Sequence, residues 1–172
     1  GIISGQNVSA IALTGDLTNE RSISQQQHSG TGLTQLTSVV DSASHIEAGN
    51  DLSLMAGGDI RNIGGVLRAG GNAELSARGN VIISSATEQQ AMLRQDKRHT
   101  WDTSNTVQYA SDVQAGKELG ITAGRDLSII ASTLKAGGDI NLSAGRNVTL
   151  ASAANQTSSE YHYKRSDKQV DK

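Results

Sequence analysis

The stretch AGGDINLSAGRNVTLA, residues 136–151, holds a Gly-Gly-Asp turn, a short alternating strand, an Ala-Gly turn and a second alternating strand, with no residue to spare. Apolar side chains fall on every second position (Ile140, Leu142, Ala144, then Val148, Leu150). This is the period of a strand with one buried face, and glycine bounds each run. An amphipathic helix would need its apolar residues three and four apart.

Working outward, the acidic or amide residue that opens each strand recurs as Asp51, Asp59, Asn72 and Asn80, and again as Glu118, Asp126, Asp139 and Asn147. The steps are 8, 13 and 8 residues in both sets, and every member of the second set lies 67 residues after its partner. Internal repetition of this kind marks a repeat architecture. Residues 21 apart also match: Leu54 falls over Leu75, Ala56 over Ala77, Ile121 over Leu142 and Ile129 over Leu150. The pattern predicts a β-solenoid, most simply a parallel β-helix of about 21 residues per coil. Each coil has three strands, such as Asp51 to Met55, Asp59 to Ile63 and Val66 to Ala69, and inward ladders of Leu, Ile and Val form its core. At the corners, glycine is expected to supply positive φ and Asp or Asn to bond the local backbone. In the stacked corners Asp51 meets Asn72, Asp59 meets Asn80 and Asp126 meets Asn147, so one charge of each pair is absent; Glu118 over Asp139 is the exception.

The 13-residue step lengthens to 35 between Asp16 and Asp51 and to 38 between Asn80 and Glu118. HIEAGND (45–51) and DVQAGKE (112–118) resemble VLRAGGN (66–72), so the frame resumes after each insertion. The insertions, over 18–43 and 86–111, read as β-hairpins on alternate coils. Their turns are placed at His28 to Gly32 and at Asp96 to His99, and a truncated third hairpin runs over 153–172. With two hairpin strands for every two coils of rise, neighbouring hairpins are expected to pair into an extra-helical sheet. Residues 1–172 thus form a single β-helix segment, and the frame, which starts inside a third strand and stops inside a hairpin, predicts that it is cut from a longer array.

Composition narrows the function. The 172 residues include no Cys and no Phe, 19 Gly and no Pro, and the net charge is −2. That balance gives no general attraction to nucleic acid, and the absence of thiols removes disulfide, thiolate-metal and cysteine-nucleophile chemistry. No run approaches the roughly 18 apolar residues of a membrane helix, and GIISGQNV lacks the regions of a signal peptide. The chain is therefore expected to be either intracellular or an internal piece of something exported. GGD followed by alternation is similar to the calcium-binding β-roll, but that repeat needs a nine-residue step and a carboxylate in every turn. Steps of 8 and 13, with Asn at half the Asp positions, read as corner residues, so neither metal nor cofactor is expected. No pair of carboxylates sits on neighbouring coils and nothing fixes a Ser, His and Asp together, so catalysis is not expected either. Sequons at Asn7, Asn141, Asn147 and Asn155 arise from Asn-apolar-Thr alternation itself.

The aromatics are the remaining signal. Trp101, Tyr109, Tyr161 and Tyr163 are the whole complement, and all lie in hairpin segments. Arg94, Lys97, Arg98 and His99 crowd one tip, with Lys164 and Arg165 at the next. Arg94, Lys97, Arg98, Trp101, Tyr161, Tyr163, Lys164 and Arg165 are accordingly candidates for a surface that contacts acidic glycans or a cell, since aromatics and Arg are favoured at contacts. Cross-strand aromatic packing beside solvated turn charges is the competing reading.

AGGDINLSAGRNVTLASA and AGNDLSLMAGGDI resemble the haemagglutinin repeats of filamentous haemagglutinins and of the exoproteins of contact-dependent growth inhibition. The resemblance covers essentially the whole chain. It implies a right-handed parallel β-helix and a non-enzymatic rod that carries adhesive or toxin modules on the outside of a bacterium. It also implies an outer-membrane two-partner secretion transporter as partner, and a host or target-cell receptor or glycan as a possible one. A binding module whose hairpins contact a cell, or a carbohydrate-active β-helix enzyme with a charged groove, are the alternatives.

Overall fold

The structure, a computed structural model, describes residues 1–164. The strands follow the expected frame. The first coil is β1 (Ile2–Gly5), β2 (Val8–Ala12) and β3 (Leu17–Glu20), followed by a hairpin of β4 (Ile23–Gly30) and β5 (Leu33–Val40). Two plain coils come next, β6 (His45–Ala48), β7 (Leu52–Ala56), β8 (Ile60–Ile63) and β9 (Val66–Ala69), β10 (Ala73–Ala77), β11 (Val81–Ser84). A second hairpin, β12 (Ala86–Gln95) and β13 (His99–Tyr109), precedes β14 (Asp112–Ala115), β15 (Leu119–Ala123) and β16 (Leu127–Ile130). The last coil is β17 (Thr133–Ala136), β18 (Ile140–Ala144) and β19 (Val148–Ala151), and β20 (Gln156–Tyr163) follows it.

Three five-stranded parallel sheets make the solenoid, in the orders β1-β6-β9-β14-β17, β2-β7-β10-β15-β18 and β3-β8-β11-β16-β19. Leu54 lies beside Leu75, Leu75 beside Ile121 and Ile121 beside Leu142, so like stacks on like through four coils. The ladder residues of the inner coils are fully buried, among them Leu67, Leu75, Val81, Val113, Leu119 and Ile121. Burying each such side chain is worth about 1.5–3 kcal/mol. The outermost coils expose what the inner ones hide, Ile140 at 43% and Leu150 at 65%. The hairpins leave the coil without breaking it: β11 pairs directly with β16, and β9 with β14, across the second insertion.

Three details differ from the sequence expectation. First, positive φ among the described residues occurs at Gly32, Gly64 and Ala131, not at the repeated corner glycines. Those glycines are required by close approach between coils. A Cβ at Gly70 would collide with the carbonyl oxygen of Gly49, and one at Gly71 with the Asp51 carboxylate. Second, the corner acids and amides bond the next coil rather than their own backbone. Asp51 Oδ1 accepts the Asn72 N–H and Asp59 Oδ1 the Asn80 N–H, both at 2.8 Å. Asp59 stacks over Asp16, and Arg61 offsets the like charges, 2.8 Å from Asp59 and 3.7 Å from Asp16.

Third, the first hairpin starts at Ile23 rather than Thr18, because residues 17–20 complete the coil. Asn19 points into the core there, and its Nδ2 donates to Asn62 Oδ1 at 2.7 Å. Asn62 in turn donates to the Gly65 carbonyl at 3.1 Å. Buried amides persist only when paired in this way, and Gly65 leaves the room, since a Cβ would meet both side chains. The hairpin turn tightens to Thr31–Gly32, with Gly32 at φ 74°.

Candidate functional site

The hairpins pair with one another, as expected. Their strands form one antiparallel sheet in the order β20-β13-β12-β5-β4, a fin standing off the coil. The fin is rooted at buried Ala86 and Ser38 and exposed towards its tip. Where the second hairpin diverges from the first, the Ser38 hydroxyl replaces a backbone partner. It donates to the Gln89 carbonyl at 2.7 Å and accepts the Gln89 N–H at 2.6 Å. At the next seam Asn155 Oδ1 accepts the Gln108 N–H at 2.7 Å. Neither residue is conspicuous in the sequence; their only signal is a short polar residue at the end of a strand.

Strand alternation sorts the candidate residues. Register places His99 opposite Tyr163, Trp101 opposite Tyr161 and Arg94 opposite Trp101, so all five share one face near the tip. The His99 ring lies 5.3 Å from Trp101 and 5.2 Å from Tyr163, and Trp101 lies 5.6 Å from Tyr161. The Arg94 guanidinium sits 5.5 Å from the Trp101 ring centre, an exposed cation–π contact worth about 0.5–1 kcal/mol. The rings spend part of their faces on each other, yet Tyr161 and Tyr163 stay 56% and 53% exposed.

The other cations go elsewhere. Lys97, Arg98 and Lys164 rim a cleft of about 270 Å³ with Thr100 and His162. The Arg98 carbonyl accepts the Lys164 N–H at 2.8 Å, which ties the two hairpins at their tips. Among the described residues, no carboxylate lies within ion-pair distance of these three cations. Arg165 lies outside the described residues. Asp96 organises the turn: its Oδ1 accepts the N–H groups of Arg98 and His99, both at 2.8 Å. These bonds, the one from Arg98 first, hold its carboxyl below the usual range.

Two further features were not read from the sequence. A shallow trough of about 320 Å³ crosses the fin between the row Thr37, Gln90, Asn105, Thr157 and the row Gln35, Met92, Thr103, Ser159. Its lining combines neutral amides and hydroxyls with the apolar residues Leu36, Ala91 and Met92, and it holds no charged side chain. At the root, the Tyr109 hydroxyl donates to Glu88 Oε2 at 2.6 Å while the Arg21 guanidinium lies 5.0 Å from the Tyr109 ring. The Glu88 bond raises the Tyr109 pKa. Among the described residues no group of three or more His, Asp or Glu is placed to hold a metal ion. Nor, among the described residues, is any helix long and apolar enough to cross a membrane.

This arrangement of stacked coils and paired hairpins coincides with a known repeat, since the hemagglutinin repeat family matches residues 20–99 and again 93–170. The chain belongs to the hemagglutinin repeat family. It is also similar to the deoxyribonuclease CdiA of Dickeya dadantii (strain 3937), at 36% identity over 167 residues. That match covers 95% of this chain and 5% of the relative, so the chain spans a small fraction of the length of the protein it resembles. No solved structure matches it. Together these place the chain as a segment of a filamentous haemagglutinin-like exoprotein.

Proposed function

We propose that this segment is a structural shaft of a secreted exoprotein on the bacterial surface. It sets the reach of adhesive or toxin modules carried elsewhere in that protein, and an outer-membrane two-partner secretion transporter exports it. The observation that carries this reading is the continuity of the ladders: β8, β11 and β16 keep the same register whether or not a hairpin intervenes. Insertions decorate such a rod without changing its rise, which suits an element selected for length.

A second reading rests on the fin tip. Lys97, Arg98 and Lys164, beside the exposed Tyr161 and Tyr163, form a surface of the composition found at contacts, suited to an acidic glycan or a cell-surface receptor. One assay separates the two. Labelled chain is titrated onto bacterial and host cells and onto a glycan array, beside the triple variant Arg94→Ser, Lys97→Ser, Arg98→Ser. The shaft reading expects no saturable binding from either protein. Saturable binding that the triple variant loses would overturn it in favour of the binding module.

A further inference from the structure

Two seams join successive hairpins, β5 to β12 and β13 to β20, and their tips are built differently. At the first, the Gln95 N–H donates to the Gly32 carbonyl at 2.7 Å, and residues 28–32 carry neither Lys nor Arg. At the second, the Lys164 N–H donates to the Arg98 carbonyl at 2.8 Å. That bond sets Lys164 beside Lys97 and Arg98 on the rim of the cleft of about 270 Å³. Two of these cations belong to one hairpin and the third follows β20 of the next, so the cleft is complete only while β20 is docked. Gathering like charges in this way opposes the docking that brings them together. Asp96 also lines the cleft, but its carboxylate is committed to the turn, where Oδ1 accepts the N–H groups of Arg98 and His99 and lies 2.9 Å from His99 Nδ1. Among the described residues, the three cations have no carboxylate within ion-pair distance.

We propose that this cleft binds a tetrahedral oxyanion, sulfate or phosphate, and that the bound anion clamps β20 to β13. The chemistry suits such a group. Arg98 presents a fork of N–H donors, Lys97 and Lys164 act as point charges, and the Thr100 hydroxyl adds a neutral donor. A dianion offsets more than one of the cations and offers oxygens in several directions at once, which a lone carboxylate does not. The cleft has more room than the anion alone needs, so the same group carried on a sugar fits as well as a free one. Because the site exists only in the docked arrangement, binding and docking are linked: the anion lowers the opening equilibrium of β20 by the factor 1 + [L]/Kd. This deepens the second reading above and rests on it for the tip as a contact surface, while adding the charged group it takes and the seam that group closes.

Hydrogen exchange of the whole chain in sodium sulfate, against sodium chloride of the same ionic strength, tests it. At ten times its Kd, sulfate should slow exchange of the β20 amides by a factor of about 11, while amides bonded across the seam of β5 and β12 keep their rates. The double variant Lys97→Ser, Lys164→Ser should lose the sulfate response and, in chloride, exchange its β20 amides more slowly than the parent, because the repulsion is gone. Faster exchange in that variant would make the lysines ordinary structural supports and overturn the proposal. A sulfated disaccharide and its unsulfated form make the second arm. A response to the sulfated sugar but not to inorganic sulfate supports the site with a glycan as the source of the anion, and a response to both supports a free oxyanion as well. No response of β20 to either overturns the clamp, and so does equal slowing by chloride or at both seams, since screening alone would then account for it. Cell binding that the triple variant loses, without any sulfate response, would overturn the clamp and leave the second reading standing.

Discussion

Leu75 in β10 is fully buried, whereas Met92 in β12 is 40% exposed, although both are large apolar residues in the middle of a hydrogen-bonded strand. The coil closes on itself, so each five-residue strand such as β10 sends alternate side chains into a shared interior. The fin has strands of up to eleven residues, but it is a single layer. Beyond its buried root at Ala86 and Ser38, neither face is covered among the described residues, and there is no interior to fill. What replaces a core is a set of seams: backbone ladders, the hydroxyl of Ser38, the amide of Asn155 and one knot of rings. A rod that must hold its register and an appendage that must stay soluble on both sides are therefore stabilised by different terms, burial in the first and hydrogen bonding in the second.

The largest effect that can break this contrast comes from placing the same charge in each region. Leu75→Asp removes about 1.5–3 kcal/mol of burial and leaves an unpaired carboxylate among Leu54, Ile121 and their neighbours, an environment that does not accept an isolated charge. It should abolish the cooperative thermal transition or lower it until little folded protein remains. Met92→Asp should shift stability by no more than about 0.5 kcal/mol, as surface changes do. Urea denaturation followed by circular dichroism measures both. Comparable losses would mean that the fin has an interior after all.

A smaller effect comes from acid. Asp59 in the coil and Asp96 in the fin both have carboxyls held below the usual range. For Asp59 the first cause is the Asn80 N–H, reinforced by Arg61; for Asp96 the first is the Arg98 N–H, then that of His99. A carboxyl whose folded pKa is depressed contributes stability that is complete above its ordinary pKa, about 3.9, and is lost as the pH falls through the folded value. Asp59 joins two coils, so its protonation should lower the stability of the whole solenoid below that pH. Asp59→Asn retains an acceptor for Asn80 and should flatten the acid limb of the unfolding curve. Asp96→Asn closes only an exposed turn and should flatten that limb less. Unfolding midpoints collected from pH 6 downward give the comparison.

How much of this was legible in the sequence follows from the same contrast. Stacking is a property of spacing, and the Asp and Asn alignment placed Leu54 beside Leu75 and Ile129 beside Leu150 as the structure does. Distance between layers is not written in spacing. Gly70 and Gly71 were read as turn formers, but they make room for the Gly49 carbonyl and the Asp51 carboxylate of the coil before them. Asn19 and Asn62 occupy inward positions whose neighbours are Ile83 and Ile129, and only their mutual hydrogen bond explains why amides can sit there. At the tip, clustering along the chain suggested one basic patch. The structure divides it, because Arg94 is in a strand and takes the face of Trp101, while Lys97 and Arg98 are in the turn and meet Lys164 across the seam.

The smallest effect sharpens the comparison most, because it asks whether coil and fin open together. Trp101 touches His99, Tyr161 and Arg94, and it bridges the seam between β13 and β20. An aromatic pair contributes about 0.5–1.5 kcal/mol beyond its buried area. Trp101→Ala should therefore weaken β20 by about 1–2 kcal/mol, a factor of roughly 5–30 in its opening equilibrium. Local openings of this kind appear in hydrogen exchange long before global unfolding does. Amides of β20 should exchange faster by that factor, while those of β15, held between β10 and β18 in the coil, keep their parental rates. If β15 accelerates as well, the seam residues are part of one cooperative unit with the ladders, and the fin is a structural member of the shaft. If β20 alone responds, the fin can loosen and re-form on a coil that does not move, which is the property that pairing with another surface requires.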